Sequence, residues 1–196
     1  HGSYEAYREA KARLFTGLAD TVEKEIGNIR LAVINRDDQS YDYLKHTATG
    51  TIVSYGITPG ADILATNILH APTGIDFSIQ GMGSVTHIHS SLVGDYNVSN
   101  CLAAITTAVW GLKIPIELAC EAIPSFSGVP GRMERIDLGQ NFTAIVDFAH
   151  TPNALKVALE TARNMTPRRV LAVFGSAGLR DREIRNLMAE TSIGLA

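Results

Sequence analysis

The chain has 196 residues, enough for one large domain or two small ones. It is 45% hydrophobic and 19% charged with a formal net charge of −3, the balance of a soluble globular protein. That balance argues against nucleic acid as a partner, and no apolar run reaches the roughly 18 residues that a membrane span requires.

In chain order, "YEAYREAKARLFTGLA" consists of good helix formers with no internal proline and reads as a helix. "IRLAVINRDD" reads as a short buried strand that ends in polar turn residues. Between Thr51 and Leu92, the runs "TIVSYG", "ADILATNILHA", "GIDFSIQGM" and "VTHIHSSLV" alternate and are rich in β-branched residues. Glycine and proline separate them, which predicts a small group of partly antiparallel strands. "DYNVSNCLAAITTAVWGL" predicts a helix stopped by Gly111, and "IPIELACEAI" a second one with Pro115 near its first turn. Beyond "SGVPG" the rhythm is strand, helix, strand, helix: "NFTAIVDF", "TPNALKVALETARNM" with Thr151 as cap and Pro152 at its first position, "RRVLAVFG" and "DREIRNLMAETSIG". Such alternation predicts parallel strands with helical crossovers and places a boundary near Gly131. Cys101 and Cys120 lie in apolar helical stretches and match no metal pattern, as expected of small core residues in a reducing compartment. No signal-peptide pattern is read at the start.

Asp147 and His150 stand where a strand hands over to a helix. In open parallel sheets, ligands lie outside the carboxyl ends of strands, beside helix N-termini that favour anions. There a carboxylate suits ribose hydroxyls or metal-bound water, and an imidazole suits a phosphate oxygen. The loop Gly175 to Gly178 follows the next strand in the same way. Spacing equally allows the plainer reading, in which Asp147 and His150 satisfy turn amides.

Lys11 falls on the helix face marked by Tyr4, Tyr7, Leu14 and Leu18. It either snorkels to water or carries a lowered pKa and reacts with carbon dioxide, giving a carbamate able to hold Mg²⁺ through oxygen. Asn97 and Asn100 open "NVSN" as helix caps, or as two amides one turn apart that read an adenine edge. Arg132 is a surface charge or a planar cation for a base or phosphate. His87 and His89 share a strand face with no third ligand in sight, so a solvated pair is expected; Asp37-Asp38 is expected to be a strand-end turn.

Together, "YREAKARLF", "AVINRDD", "GDYNVSNCLAA", "GVPGRMERI", "VDFAHTPNAL" and "FGSAGLRDREIRNLM" resemble, in order, the Mur ligase family, with "GRMER" and "VDFAHTPNAL" closest to its MurE branch. The resemblance implies an α/β fold: the latter part of a central ATP-binding domain with a mixed sheet over residues 1–131, then the start of a Rossmann-like C-terminal domain over 132–196. It implies a cytoplasmic, ATP-dependent ligase that adds an amino acid to UDP-N-acetylmuramoyl-L-alanyl-D-glutamate through an acyl phosphate. ATP and Mg²⁺ are the implied cofactors, and a UDP-linked muramoyl peptide and an amino acid the implied partners, with no nucleic acid and no membrane. Lys11 matches the carbamoylated, metal-holding lysine. Asn97 and Asn100 match the adenine contacts, Arg132 a nucleotide contact, and Asp147 and His150 the ribose and phosphate end, with Lys11 and His150 in the catalytic set. No Gly-Lys-Thr phosphate loop occurs in the 196 residues, so the chain reads as an internal piece of the ligase, inactive alone, with weak ATP binding and an unmodified Lys11. "FGSAGLRD" departs from the family's form, so no role passes to Arg180 and Asp181. Alternative readings are a folylpolyglutamate- or cyanophycin-type ligase, or a non-catalytic nucleotide-binding module.

Overall fold

The computed structural model describes residues 3–22, 25, 29–71, 73–175 and 182–196, excluding the side chains of 182 and 183. Residues 176–178 of the expected glycine loop, together with Arg180 and Asp181, lie outside the described residues.

Helix α1 (Tyr4–Thr16) starts where the Ser3 hydroxyl accepts from the Ala6 amide at 3.2 Å, which satisfies one of the four orphan N–H groups of the first turn. Of the expected face only Leu18, in the turn just past the helix, packs on the core. Ala12 is its buried residue, and Phe15 and Leu18 pack on Ala32, Ile34 and Tyr41. Tyr4, Tyr7 and Lys11 are exposed, and Leu14 is 75% exposed. Two faces of this helix satisfy a three-and-four spacing. The one carrying a small alanine admits the close approach, so Lys11 does not sit on a buried stripe.

Strands β1 (Leu31–Asn35), β2 (Thr51–Gly56), β3 (Ile63–Ala71), β4 (Gly74–Gly81) and β5 (Ser84–Ser90) form one mixed sheet in that spatial order. β1 and β2 are parallel, in register from Leu31↔Thr51 to Asn35↔Tyr55, and β2 meets β3 in parallel at Tyr55↔Ile63 and Gly56↔Leu64. Parallel neighbours need a crossover, and between β1 and β2 it contains a short helix, α2 (Tyr41–Thr47). Sequence periodicity does not reveal α2, because seven residues are too few to display it. Phe77 and Ile79 on β4 and Ile88 on β5 are at most 1% exposed. Helix α3 (Asp95–Thr106) packs on β1 and β2, buries Val98, Leu102 and Ile105, and continues as a π-helical turn over Thr107–Gly111. Helix α4 (Ile116–Glu121) follows, with Pro115 at its N-cap.

The chain divides into two compact units: His1–Leu69, Asp76–Ser90 and Asp95–Ser125 in one, and His70–Ile75, Ser91–Gly94 and Phe126–Ala196 in the other. In the second unit, β6 (Glu134–Ile136) pairs antiparallel with β7 (Ala144–Val146), from Glu134↔Val146 to Ile136↔Ala144. Helix α5 (Pro152–Asn164) starts as expected, with Thr151 Oγ1 accepting from Ala154 N at 3.2 Å. It packs with α6 (Arg182–Ile193) around Leu155, Leu159, Val170 and Met188. The expected strand in "RRVLAVFG" joins no ladder among the described residues: Val170 packs in that cluster, whereas Leu171 is 74% and Val173 99% exposed. An apolar alternation specifies a face, but a strand also needs a hydrogen-bonded neighbour. β6, which the apolar pattern does not single out, supplies that neighbour to β7 instead.

Candidate functional site

The residues singled out by the sequence fall into both units. In the second, the "VPGRMER" segment makes a turn that returns the Arg132 amide to the Val129 carbonyl (3.0 Å), with Gly131 at φ +71° and Met133 at φ +47°. A left-handed methionine is disfavoured by about 1–2 kcal/mol. Two carboxylates offset that cost. Glu134 Oε2 accepts from Gly131 N at 2.7 Å, and Asp147 Oδ2 from Met133 N at 2.9 Å. The other oxygen of Asp147 accepts from Ala149 N at 2.8 Å. Turn chemistry at Asp147 is therefore real, but it reaches fourteen residues back and ties the Arg132 turn to the end of β7.

Arg132 and His150 are exposed and lie against one ring. The Arg132 guanidinium lies 4.7 Å from the centroid of Phe148, and the His150 ring lies 4.9 Å from it at 58°. His150 Nδ1 lies 3.0 Å from the Phe148 carbonyl oxygen, so a proton on Nδ1 makes this hydrogen bond. Nε2 is then an acceptor in the neutral ring and donates to an anion only in the imidazolium form. Helix α5 begins directly behind, and the partial positive charge of its N-terminus adds to the preference for an anion. The structure thus brings Arg132, Asp147 and His150 together. Sequence reading missed Phe148 and Glu134; the signals were an aromatic between Asp147 and His150, and a carboxylate three residues after Gly131.

In the first unit, Asn97 and Asn100 lie inside α3 rather than at its cap, because the helix starts at Asp95. Capping is therefore not their task. Asn100 Nδ2 donates to Asn97 Oδ1 at 3.0 Å, Asn97 is buried and Asn100 exposed, so the carboxamide oxygen of Asn100 faces outward from a fixed pair. Lys11 Nζ lies 5.4 Å from the Tyr7 ring centroid. An ammonium has donors only, and among the described residues no group of three His, Cys, Asp or Glu is arranged to hold a metal ion. The side chains as they stand therefore do not make a Mg²⁺ site.

Other candidates resolve into structure. The Asp37 carboxylate accepts from Ile57 N (2.7 Å) and Thr58 N (2.9 Å), and Asp38 accepts from Ser40 N (2.8 Å), the strand-end turn expected. With His87 and His89, Asp76 on β4 supplies a third group that the sequence did not reveal, 3.0 Å from His89 Nδ1 and 3.6 Å from His87 Nε2. All three are part-exposed, which makes a solvated cluster. A groove of about 420 Å³ lies between Gly60–Asp62 and Gly81–Val85, and none of the candidate residues above lines it. Its Asp62 is committed to Ser54, whose amide and hydroxyl both reach Oδ2 (2.7 and 2.6 Å). Cys101 and Cys120 are free and buried as expected, and burial pushes both thiols up.

A mixed sheet backed by helices, followed by a unit in which a two-stranded ladder joins two packed helices, is a mixed α/β architecture of the kind found in solved Mur ligases. Residues 1–108 match the Mur ligase middle domain and residues 131–195 the Mur ligase glutamate ligase domain. The chain belongs to the Mur ligase family. It is 40% identical over 196 residues to the UDP-N-acetylmuramoyl-L-alanyl-D-glutamate–2,6-diaminopimelate ligase of Geobacillus thermodenitrificans, covering 100% of this chain and 40% of that one. A solved structure of a ligase of the same name superposes with a TM-score of 0.71 at 32% identity, covering 100% of this chain and 39% of that one. The MurF ligase of Thermotoga maritima, solved in complex with ADP, shares the fold at a TM-score of 0.62 and 17% identity, covering 83% of this chain and 37% of its own. The chain spans about 40% of the length of the curated relatives it matches.

Proposed function

We propose that this chain is part of a MurE-type ligase, with residues 1–131 in its ATP-binding central domain and 132–196 in its C-terminal domain. The ligase forms an amide between UDP-N-acetylmuramoyl-L-alanyl-D-glutamate and an amino acid (2,6-diaminopimelate in the Geobacillus relative). ATP activates the substrate carboxylate as an acyl phosphate, which the incoming amine attacks. The work belongs to peptidoglycan synthesis in the cytoplasm.

The observation that carries this reading is the convergence of Arg132 and His150 on one exposed ring beside the start of α5, a preorganised polyanion site. In it Arg132 binds phosphate oxygens, His150 gives a proton-bearing Nε2 to the same group, and Asp147 holds the turn at the ribose end. Asn100, fixed by Asn97, offers an amide to the adenine edge. Mg²⁺ screens phosphate charge when bound. Lys11 can contribute an oxygen ligand only after carbamoylation, which converts a donor into a carboxylate-like acceptor.

The test is an NMR titration of the ¹⁵N-labelled chain with Mg·ADP in ¹³C-bicarbonate buffer. Weak binding is expected, since no Gly-Lys-Thr loop occurs among the 196 residues to cradle phosphates. Shifts should appear at Arg132, residues 148–150 and Asn100, and Arg132→Ala should weaken binding by about ten-fold, as for loss of a charged hydrogen bond. Shifts confined to other residues would sink the site. Before any Mg·ADP is added, Lys11 should be unmodified, and a ¹³C carbamate signal at that point that Lys11→Arg abolishes would overturn that expectation.

A further inference from the structure

The resemblance assigns nothing to Phe148, yet its ring is 59% exposed and lies against both a guanidinium and an imidazole. Resting on the nucleotide reading above, we infer that Phe148 is a positioning residue: a pedestal whose ring holds Arg132 and His150 converged so that one di- or triphosphate meets both.

Arg132 and a protonated His150 repel each other, and both are exposed, so nothing in their charges keeps them together. An aromatic face attracts a guanidinium through its quadrupole. Here the Arg132 carbon stands 4.7 Å from the ring centroid and His150 packs at 4.9 Å. The ring itself cannot drift. The Phe148 carbonyl is engaged by His150 Nδ1, the preceding residue Asp147 is tied to Met133 N and Ala149 N, and β7 just before it is registered on β6. The Arg132 backbone is equally fixed, between Gly131 held by Glu134 and Met133 held by Asp147. Two short segments are therefore clamped by their backbones, and the ring gives Arg132 and His150 one common surface to pack on. This ordering lowers the entropy that a polyanion must remove on binding.

The pedestal is tested on the full chain with Phe148→Ala, Phe148→Leu and Phe148→Tyr, alone and combined with Arg132→Ala, using Mg·ADP and tripolyphosphate as probes. Phe148→Ala and Phe148→Leu should weaken both probes by about two- to five-fold, the size of an exposed cation–π contact. Phe148→Tyr, which keeps the ring, should rescue the affinity lost in Phe148→Leu, and in the Arg132→Ala background the loss from Phe148→Ala should shrink to the share that acts through His150. The Arg132 side-chain protons should show upfield ring-current shifts that disappear in Phe148→Leu and persist in Phe148→Tyr. Additive losses, or Arg132 protons without ring-current shifts, would overturn the pedestal. Ring-current shifts intact in an unsubstituted chain that binds neither probe would instead sink the nucleotide reading.

Discussion

Asp147 condenses the site into one carboxylate. Its two oxygens accept from Met133 and Ala149, so it buttresses a left-handed turn and the strand end at once. From spacing alone, turn chemistry and a ligand site are rival readings of this residue. In the structure the turn chemistry is present, and the same carboxylate fixes the backbone on the C-terminal side of Arg132. At the same scale, burial and then the nearby Glu117 raise the Cys120 thiol from 9.0 to about 11. A group whose folded pKa lies above its unfolded value stabilises the fold fully below the unfolded value, and that contribution is lost as pH rises through the folded one. Stability should therefore fall between about pH 9 and 11, and Cys120→Ala should flatten that part of a pH-dependent denaturation series. A slope unchanged by the substitution would show that Cys120 does not contribute it.

At the scale of elements, the parallel pairing of β1 and β2 depends on the residue before β2. Gly50 sits at φ +87°, and a Cβ there would lie 2.4 Å from the Arg30 carbonyl oxygen, which accepts from Thr51 N at 2.7 Å to begin the ladder. Gly50→Ala should cost about 2 kcal/mol or more, combining left-handed strain with a backbone clash. Urea denaturation measures it, and a loss below about 0.5 kcal/mol would show that the turn yields freely. Most elements of the first unit were legible as apolar runs bounded by Gly and Pro. α2 was not, being a seven-residue crossover, and the buried face of α1 was misread because its close contact is an alanine rather than a large apolar side chain.

For the molecule as a whole, each unit has its own core. Phe77 is fully buried in the sheet, and Met188 is 1% exposed between α5 and α6. Met188→Ala should cost about 2–5 kcal/mol and Phe77→Ala about 3–5. Hydrogen exchange should report the first as lost protection in α5 and α6 and the second as lost protection in β4 and β5. Lost protection in α5 and α6 from Phe77→Ala, with β4 and β5 unchanged, would contradict this assignment of the cores.

The sequence alone determined the α/β class, the helix start at Thr151–Pro152 and the family, because these rest on local chemistry and residue order: a capping hydroxyl, a proline, a run of motifs. It also marked Arg132, Asp147 and His150. Tertiary structure alone decided what they do together. The pairing of Asp147 with Met133, the ring of Phe148 shared by Arg132 and His150, the third group beside His87 and His89, and the antiparallel partner of β7 all join residues far apart along the chain or turned by side-chain geometry. No periodicity of a single segment records contacts of that kind.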